Sequence, residues 1–205
     1  EYEEDEDNLL YDEEYEDGIY VGYRYFDSFG VEPEYCFGFG RSYTDFSLQI
    51  DGAEAAGDRV QVRATVQNTG SVYAGKEVVQ IYYSAPQGRM DKPYQELAAY
   101  HKTSLLKPGE SEAMILTFAI KEMASYSEAD AAWVLEKGDY VIRVGSSAGN
   151  TEVAAVLTLA EEVKTQIGKN LFPLDIQLKE IKPDTTAAKT AYEKNSEGLG
   201  RVYHG

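Results

Sequence analysis

The densest chemistry-bearing stretch is Glu1–Asp17, which holds eleven carboxylates and no base. Neighbouring carboxylates can act as general acid and base, and carboxylates at fixed spacing can bind calcium. Asp5, Asp7, Glu13 and Glu16 fall at EF-hand-like spacing, but Leu9 and Leu10 occupy the positions that need an oxygen ligand and the turn glycine. Nothing in so exposed a run would keep one carboxyl protonated and its neighbour ionised. Like charges at this density resist compaction, so the stretch reads as an exposed, poorly ordered or docked arm.

Three other constellations invite a chemical reading. His101 near Lys102 and Ser104 could pair a base with a nucleophile, yet adjacent strand residues face opposite ways, which favours a surface or interface histidine. Gly38-Phe39-Gly40-Arg41-Ser42-Tyr43 begins like a dinucleotide fingerprint but ends in tyrosine and lacks the strand, helix and later acid that such a site needs, so it reads as a tight turn. Cys36 is the lone cysteine and His101 and His204 are the only histidines, which allows neither an internal disulfide nor zinc spacing. Trp133 is the single tryptophan; exposed, it would suggest a carbohydrate-binding face, although one tryptophan more often lies in a core.

The elements that must position these residues follow from composition and periodicity. The chain has 205 residues, 43% of them hydrophobic and 12% aromatic, enough for one packed domain plus extra segments, or for two small ones. Of the formal charge of −17, the arm carries −11, so the body is only mildly acidic. That balance argues against nucleic acid and anionic membrane as partners and is compatible with a neutral ligand such as a sugar. No apolar run is long enough for a membrane span and no secretory leader is present, absences that an internal fragment would share; the cytoplasm is slightly favoured over secretion.

Gly18–Phe46 holds ten aromatic rings in 29 residues, more than so short a segment can bury within itself, so it reads as one edge of a larger domain. Val60, Val62, Ala64 and Val66 alternate with polar residues, as in a half-buried strand, before an Asn68-Thr69-Gly70 turn. Glu77–Ser84, Glu112–Ile120, Asp139–Gly145 and Glu152–Leu159 are further strands, punctuated by Lys107-Pro108-Gly109-Glu110 and Lys137-Gly138-Asp139. About seven strands with few helical stretches between them predict a mainly β fold, an antiparallel Greek-key sandwich over residues 46–160. Leu171-Phe172-Pro173-Leu174, Ile176, Leu178 and Ile181 hint at an extended segment, and the polar residues 183–205 complete a linker or wrapping tail over 161–205.

These strings carry a resemblance. Gly18-Ile19-Tyr20-Val21-Gly22-Tyr23-Arg24-Tyr25-Phe26-Asp27 resembles the segment that closes the α/β-sandwich domain of family 3 glycoside hydrolases of the β-glucosidase kind. Phe37-Gly38-Phe39-Gly40-Arg41-Ser42-Tyr43-Thr44-Asp45-Phe46 is similar to the element linking that domain to a fibronectin type III-like one, with Arg41 for the usual leucine and Cys36 for the usual proline. A guanidinium in an aliphatic position must reach water or an acid. Val66–Gly70, Gly75–Tyr82, Pro93 with Glu96-Leu97, Lys107–Ser111 and Gly138–Ser147 follow in the order of the fibronectin type III-like signature.

The resemblance implies a fibronectin type III-like (immunoglobulin-like) sandwich over 46–160, with residues 1–45 contributing the acidic arm and the end of an α/β domain. It implies a parent that is a retaining, exo-acting β-glycosidase working through two carboxyl groups. In the family the nucleophile belongs to a TIM barrel and the acid/base to the α/β domain upstream of residue 18, and neither motif occurs in this sequence. The expectation is therefore no catalytic residue, cofactor or metal ligand here, with the barrel and α/β domains as partners through which oligosaccharide or aryl β-glycoside is bound. The length after residue 160 leaves open a permuted parent whose barrel follows the tail. A stand-alone carbohydrate- or protein-binding module is the alternative, since a fold alone does not fix function.

Overall fold

The computed structural model describes residues 2–4, 11–171, 179–184 and 201–204. In chain order the elements are β1 Tyr2–Glu4, β2 Tyr11–Glu13, α1 Tyr23–Phe29, β3 Phe46–Ala56, β4 Arg59–Asn68, β5 Val78–Ser84, β6 Glu96–Lys102 and β7 Ser111–Ala119. A 3₁₀ turn at Ile120–Met123 leads to β8 Ser125–Ser127, β9 Ala132–Leu135, β10 Gly138–Ser147, β11 Asn150–Leu159, β12 Val163–Ile167 and β13 Arg201–His204.

Two antiparallel layers face each other. One is the sheet β3-β4-β7 and the other runs β13-β11-β10-β5-β6, in which only β13 pairs in parallel. β4 obeys the alternation of its sequence: Val60, Val62, Ala64 and Val66 are buried against Met114, Leu116 and Phe118 of β7 and against Val79, Ile81, Tyr140, Ile142 and Val144 of the opposite layer. This is the mainly β, antiparallel sandwich expected.

β3 shows why some strands are hard to read. Phe46, Leu48 and Ile50 alternate inward, then a bulge between Ile50 and Gly52 shifts the register by one, so that Ala53 and Ala55 rather than Gly52 and Glu54 meet the core. Gly52 has φ +152, a backbone conformation that L side chains rarely adopt, so the bulge favours glycine.

A third, small sheet, β12-β9-β8, completes the body, and its strand β12 takes Val163–Ile167 out of the expected tail. The acidic arm also forms a ladder, β1 with β2. Its register sets Tyr2 opposite Glu13, Glu3 opposite Asp12 and Glu4 opposite Tyr11. Asp5, Asp7, Leu9 and Leu10 of the calcium-like spacing lie outside the described residues, as do residues 172–178 of the expected extended segment. Among the described residues no cluster of three or more ligating side chains could hold a metal, and no helix is long and apolar enough to cross a membrane.

The small sheet is tied to the loop before β6 by a buried ion pair, Lys92 Nζ to Glu136 Oε2. Lys92 is 3% and Glu136 6% exposed. Burial pushes the Glu136 carboxyl up, but hydrogen bonds from Lys92 and from the Arg89 backbone N–H, the latter at 2.8 Å, outweigh it and hold the group below its ordinary value of 4.5. Removing the cation alone strands a buried carboxylate, so Lys92→Met should lower unfolding stability at pH 7 by about 3 kcal/mol in urea titrations. A carboxyl with a depressed folded-state pKa stabilises above its unfolded value and loses that contribution as pH falls through the folded value. The stability deficit of Glu136→Gln should accordingly shrink once the pH drops below 4.5.

Candidate domain interface

β5 and β10 lack the alternation of β4. From Val79 to Ser84 and from Tyr140 to Gly145 every residue is buried, so both faces of the sheet centre are covered. The inner face meets β4 and β7; the outer face, with Gln80, Tyr82 and Ser84 beside Val141 and Arg143, meets the segment that precedes the sandwich.

α1 docks there because its residues at i, i+1, i+4 and i+5 fall on one side. The Leu97 N–H donates to Tyr23 Oη at 2.9 Å, Arg24 Nη2 pairs with Glu96 at 3.0 Å, Gln95 Nε2 donates to Asp27 at 2.9 Å and the Tyr94 N–H donates to Ser28 Oγ at 2.9 Å. Each of residues 94–97 thus meets one helix residue. Gly22 at φ +61 and Gly30 at φ +66 bracket the seven-residue helix and let the chain turn in and out of it.

Aromatic contacts continue the dock. The Tyr23 ring stands edge-on to the fully buried Tyr82 at 6.0 Å, and Phe37 stacks on Tyr23 at 4.8 Å. Burial pushes the Tyr82 phenol well above its ordinary range, and it donates to Gln80 Oε1 at 2.5 Å. On the far side of the helix Tyr25 stacks on Phe29 at 4.6 Å, and Phe29 meets the buried Tyr20, whose phenol burial pushes up to about 12.

Gly38 sits over Gln80, whose Nε2 donates to the Ser146 carbonyl at 2.7 Å. At φ +80, any Cβ on Gly38 would overlap the held carboxamide. Of the two glycines that resemble a dinucleotide fingerprint, Gly38 thus serves close backbone approach, a Cβ on Gly40 would meet nothing within 4 Å among the described residues, and no helix follows them. Arg41 is exposed and reaches water, which accounts for a guanidinium where the resemblance calls for leucine. Cys36 Sγ is half-buried and donates to Ser147 Oγ at 3.4 Å.

The segment enters β3 through Thr44 and Asn68. Thr44 Oγ1 donates to Asn68 Oδ1 at 2.6 Å, which also accepts the Gly70 N–H at 3.0 Å, while Asn68 Nδ2 donates to the carbonyls of Tyr73 and Leu106, both at 2.9 Å. All four hydrogen-bonding positions of a fully buried carboxamide are filled. The turn read from Asn68-Thr69-Gly70 is thus also the hinge point between segment and sandwich.

Two polar atoms at the rim differ. Arg143 and Gln95 are buried, and among the described residues Arg143 Nη2 and Gln95 Oε1 have no hydrogen-bond partner. Asp27 lies beside them; burial pushes its carboxyl up, against the hydrogen bond from Gln95 and the charge of Arg143. This polar group was not legible in the sequence, where Arg143 looks like one charged residue in an apolar strand.

The other sequence candidates disperse. His101 is exposed and its Nε2 lies 3.8 Å from Glu112, which also accepts the backbone N–H of Ser104 at 2.9 Å and its hydroxyl. The carboxylate stands between the two, and the Ser104 hydrogen bonds hold it below the ordinary range, so it is a weak base for activating the hydroxyl. Trp133 is on β9, 45% exposed, and lines a cleft that it shares with Arg24 and Glu96.

Comparison with known proteins fits this architecture. Residues 77–148 match the Fibronectin type III-like domain family. β-Glucosidase A of Butyrivibrio fibrisolvens is 40% identical over 174 residues, a match taking in 74% of this chain and 20% of that enzyme. The solved β-glucosidase of Paenibacillus barengoltzii superposes with TM-score 0.72 at 42% identity, covering 76% of this chain and 18% of the other. β-Glucosidase 3B of Thermotoga neapolitana, solved with α-D-glucose, gives 0.67 at 46% identity, covering 72% and 20%. The chain contains a fibronectin type III-like domain, and its resemblance is to that portion of family 3 β-glucosidases, about a fifth of whose length it spans.

Two substitutions probe the dock. Asn68→Ala leaves four partners unsatisfied, of which Thr44 and Leu106 are buried, and should cost about 2–4 kcal/mol of unfolding free energy, with Asn68→Asp no better at neutral pH because its carboxylate would face two carbonyl oxygens. Gly38→Val should loosen the loop from Gln80 and raise the rate at which a thiol reagent modifies Cys36 by roughly tenfold, with the urea midpoint of the whole chain lowered alongside.

Proposed function

We propose that the chain is the non-catalytic, structural part of a retaining, exo-acting β-glycosidase that removes terminal β-linked sugars. Residues 1–45 form the acidic arm and the closing segment of its α/β domain, 46–160 the fibronectin type III-like sandwich and 161–205 a linker or wrapping tail. The observation that carries this reading is the two-sidedness of residues 19–43. One side is docked on β5, β6 and β10, and the other presents Tyr35, Phe39 and Tyr43, from 51% to 92% exposed, in a stretch of nine residues.

So dense an aromatic surface is a self-association hazard unless another body covers it. The rest of the α/β domain is the natural cover, with the orphaned Arg143 Nη2 and Gln95 Oε1 at its edge as further groups awaiting partners. In this arrangement the sandwich buttresses the α/β domain, holding active-site geometry while the barrel and α/β domains bind the oligosaccharide or aryl β-glycoside and supply both carboxyl groups. The chain itself is then inactive.

The test is reconstitution. The chain alone should release no nitrophenol from an aryl β-glucoside, and mixing it with a separately purified barrel-containing remainder should yield a stable complex with activity. Hydrolysis by the chain alone, or failure of the two pieces to associate, would contradict the assignment.

A further inference from the structure

The hairpin of β8 and β9 carries a surface that the domain interface does not use. Tyr126 and Trp133 stand directly opposite each other in its register, 42% and 45% exposed. Their centroids are 5.6 Å apart and their planes meet at 63°, so the rings make a corner rather than a flat platform. Ala132 and Val134 on either side of Trp133 are buried, which fixes the indole on the outward face.

The corner forms one side of a cleft of about 490 Å³, whose other sides carry the carboxylates of Glu122 and Glu128. The cation lining it, Arg24, pairs through Nη2 with Glu96 at 3.0 Å while its buried Nε has no partner among the described residues, and the Asp91 carboxylate pairs with Lys182 at 2.7 Å. With Glu128, and with Glu122, whose Oε2 accepts the Ala119 N–H at 3.1 Å, carboxylates outnumber cations along the lining, which suits hydroxyl donors and disfavours anions.

The hairpin is held in shape. Arg89 Nη2 pairs with Asp130 at 2.5 Å, Arg89 Nη1 donates to Ser127 Oγ at 3.2 Å, and Lys164 Nζ pairs with Asp130 at 2.9 Å. A braced pair of rings loses little freedom on binding.

We propose that the Tyr126–Trp133 corner is a saccharide subsite that seats one neutral pyranose unit of an oligosaccharide. An apolar C–H face of the sugar packs on a ring face, and its hydroxyls donate to Glu122 and Glu128. The cleft's volume accommodates a sugar ring, its charge excludes uronic acids, and its rings supply the apolar contact that a hydroxyl-only site lacks. The inference rests on the hairpin and on the cleft it shares with residues 18–24 and stands apart from the glycosidase assignment, which the reconstitution experiment addresses.

Trp133 is the only tryptophan, so its emission reports on this site directly. Titration of the chain with cellotetraose should give a saturable emission change with a midpoint in the millimolar range. Tyr126→Ala should weaken it about fivefold to tenfold. Glu128→Gln, on an exposed side chain whose loss does not threaten folding, should weaken it by a smaller factor, and an oligogalacturonate should produce no saturable change. Absence of a saturable response to cellotetraose up to about 50 mM, well above millimolar affinity, overturns the proposal. So does an undiminished affinity in both variants.

Discussion

The centre of the larger sheet has no face left for water. β5 and β10 pack inward on β4 and β7 and outward on α1 and the loop through Phe37 and Gly38, so a stretch of chain outside the sandwich closes it. An antiparallel sheet ordinarily keeps one wet side; apolar strands without alternation signal a second covering layer. Here that layer is thin, a seven-residue helix and its flanking loops, and it is attached by a matched series of contacts to residues 94–97. Apolar burial supplies the drive, and the polar contacts fix where the layer lies.

Two buried polar devices keep the layers in register with each other. Asn68 joins the incoming chain at Thr44 to two turns of the sandwich, and the Lys92–Glu136 pair joins the loop before β6 to the small sheet. Each is nearly sealed from solvent, so each holds a single geometry strongly and tolerates the loss of one partner poorly. The thin layer and the sandwich consequently behave as parts of one packed unit, while the rings of Tyr35, Phe39 and Tyr43 face outward from it.

How much of this could be read from residues depended on the kind of signal. β4 was legible because Val60 to Val66 alternate over one dry and one wet face, and the ten rings of residues 18–46 announced a neighbour to pack on. β3 was obscured by the bulge at Gly52, which breaks period two, and β12 by its exposed, polar side chains. The helix could not be predicted from seven residues, since its stability comes from the dock and not from propensity. The pairing of Asp27 with Gln95 spans 68 residues, a distance over which neither periodicity nor spacing carries information. The resemblance to family 3 glycoside hydrolases identified both partners of the dock as motifs, but not that they touch.

The central claim is that residues 18–45 and the sandwich fold as one body. Equilibrium unfolding in urea, followed on the same samples by Trp133 emission from the small sheet and by the accessibility of Cys36 in the docked segment, tests it most directly. The account predicts a single transition with coincident midpoints. Exposure of Cys36 at clearly lower urea, with Trp133 still in its native environment, would contradict it and reduce the segment to a peripheral arm.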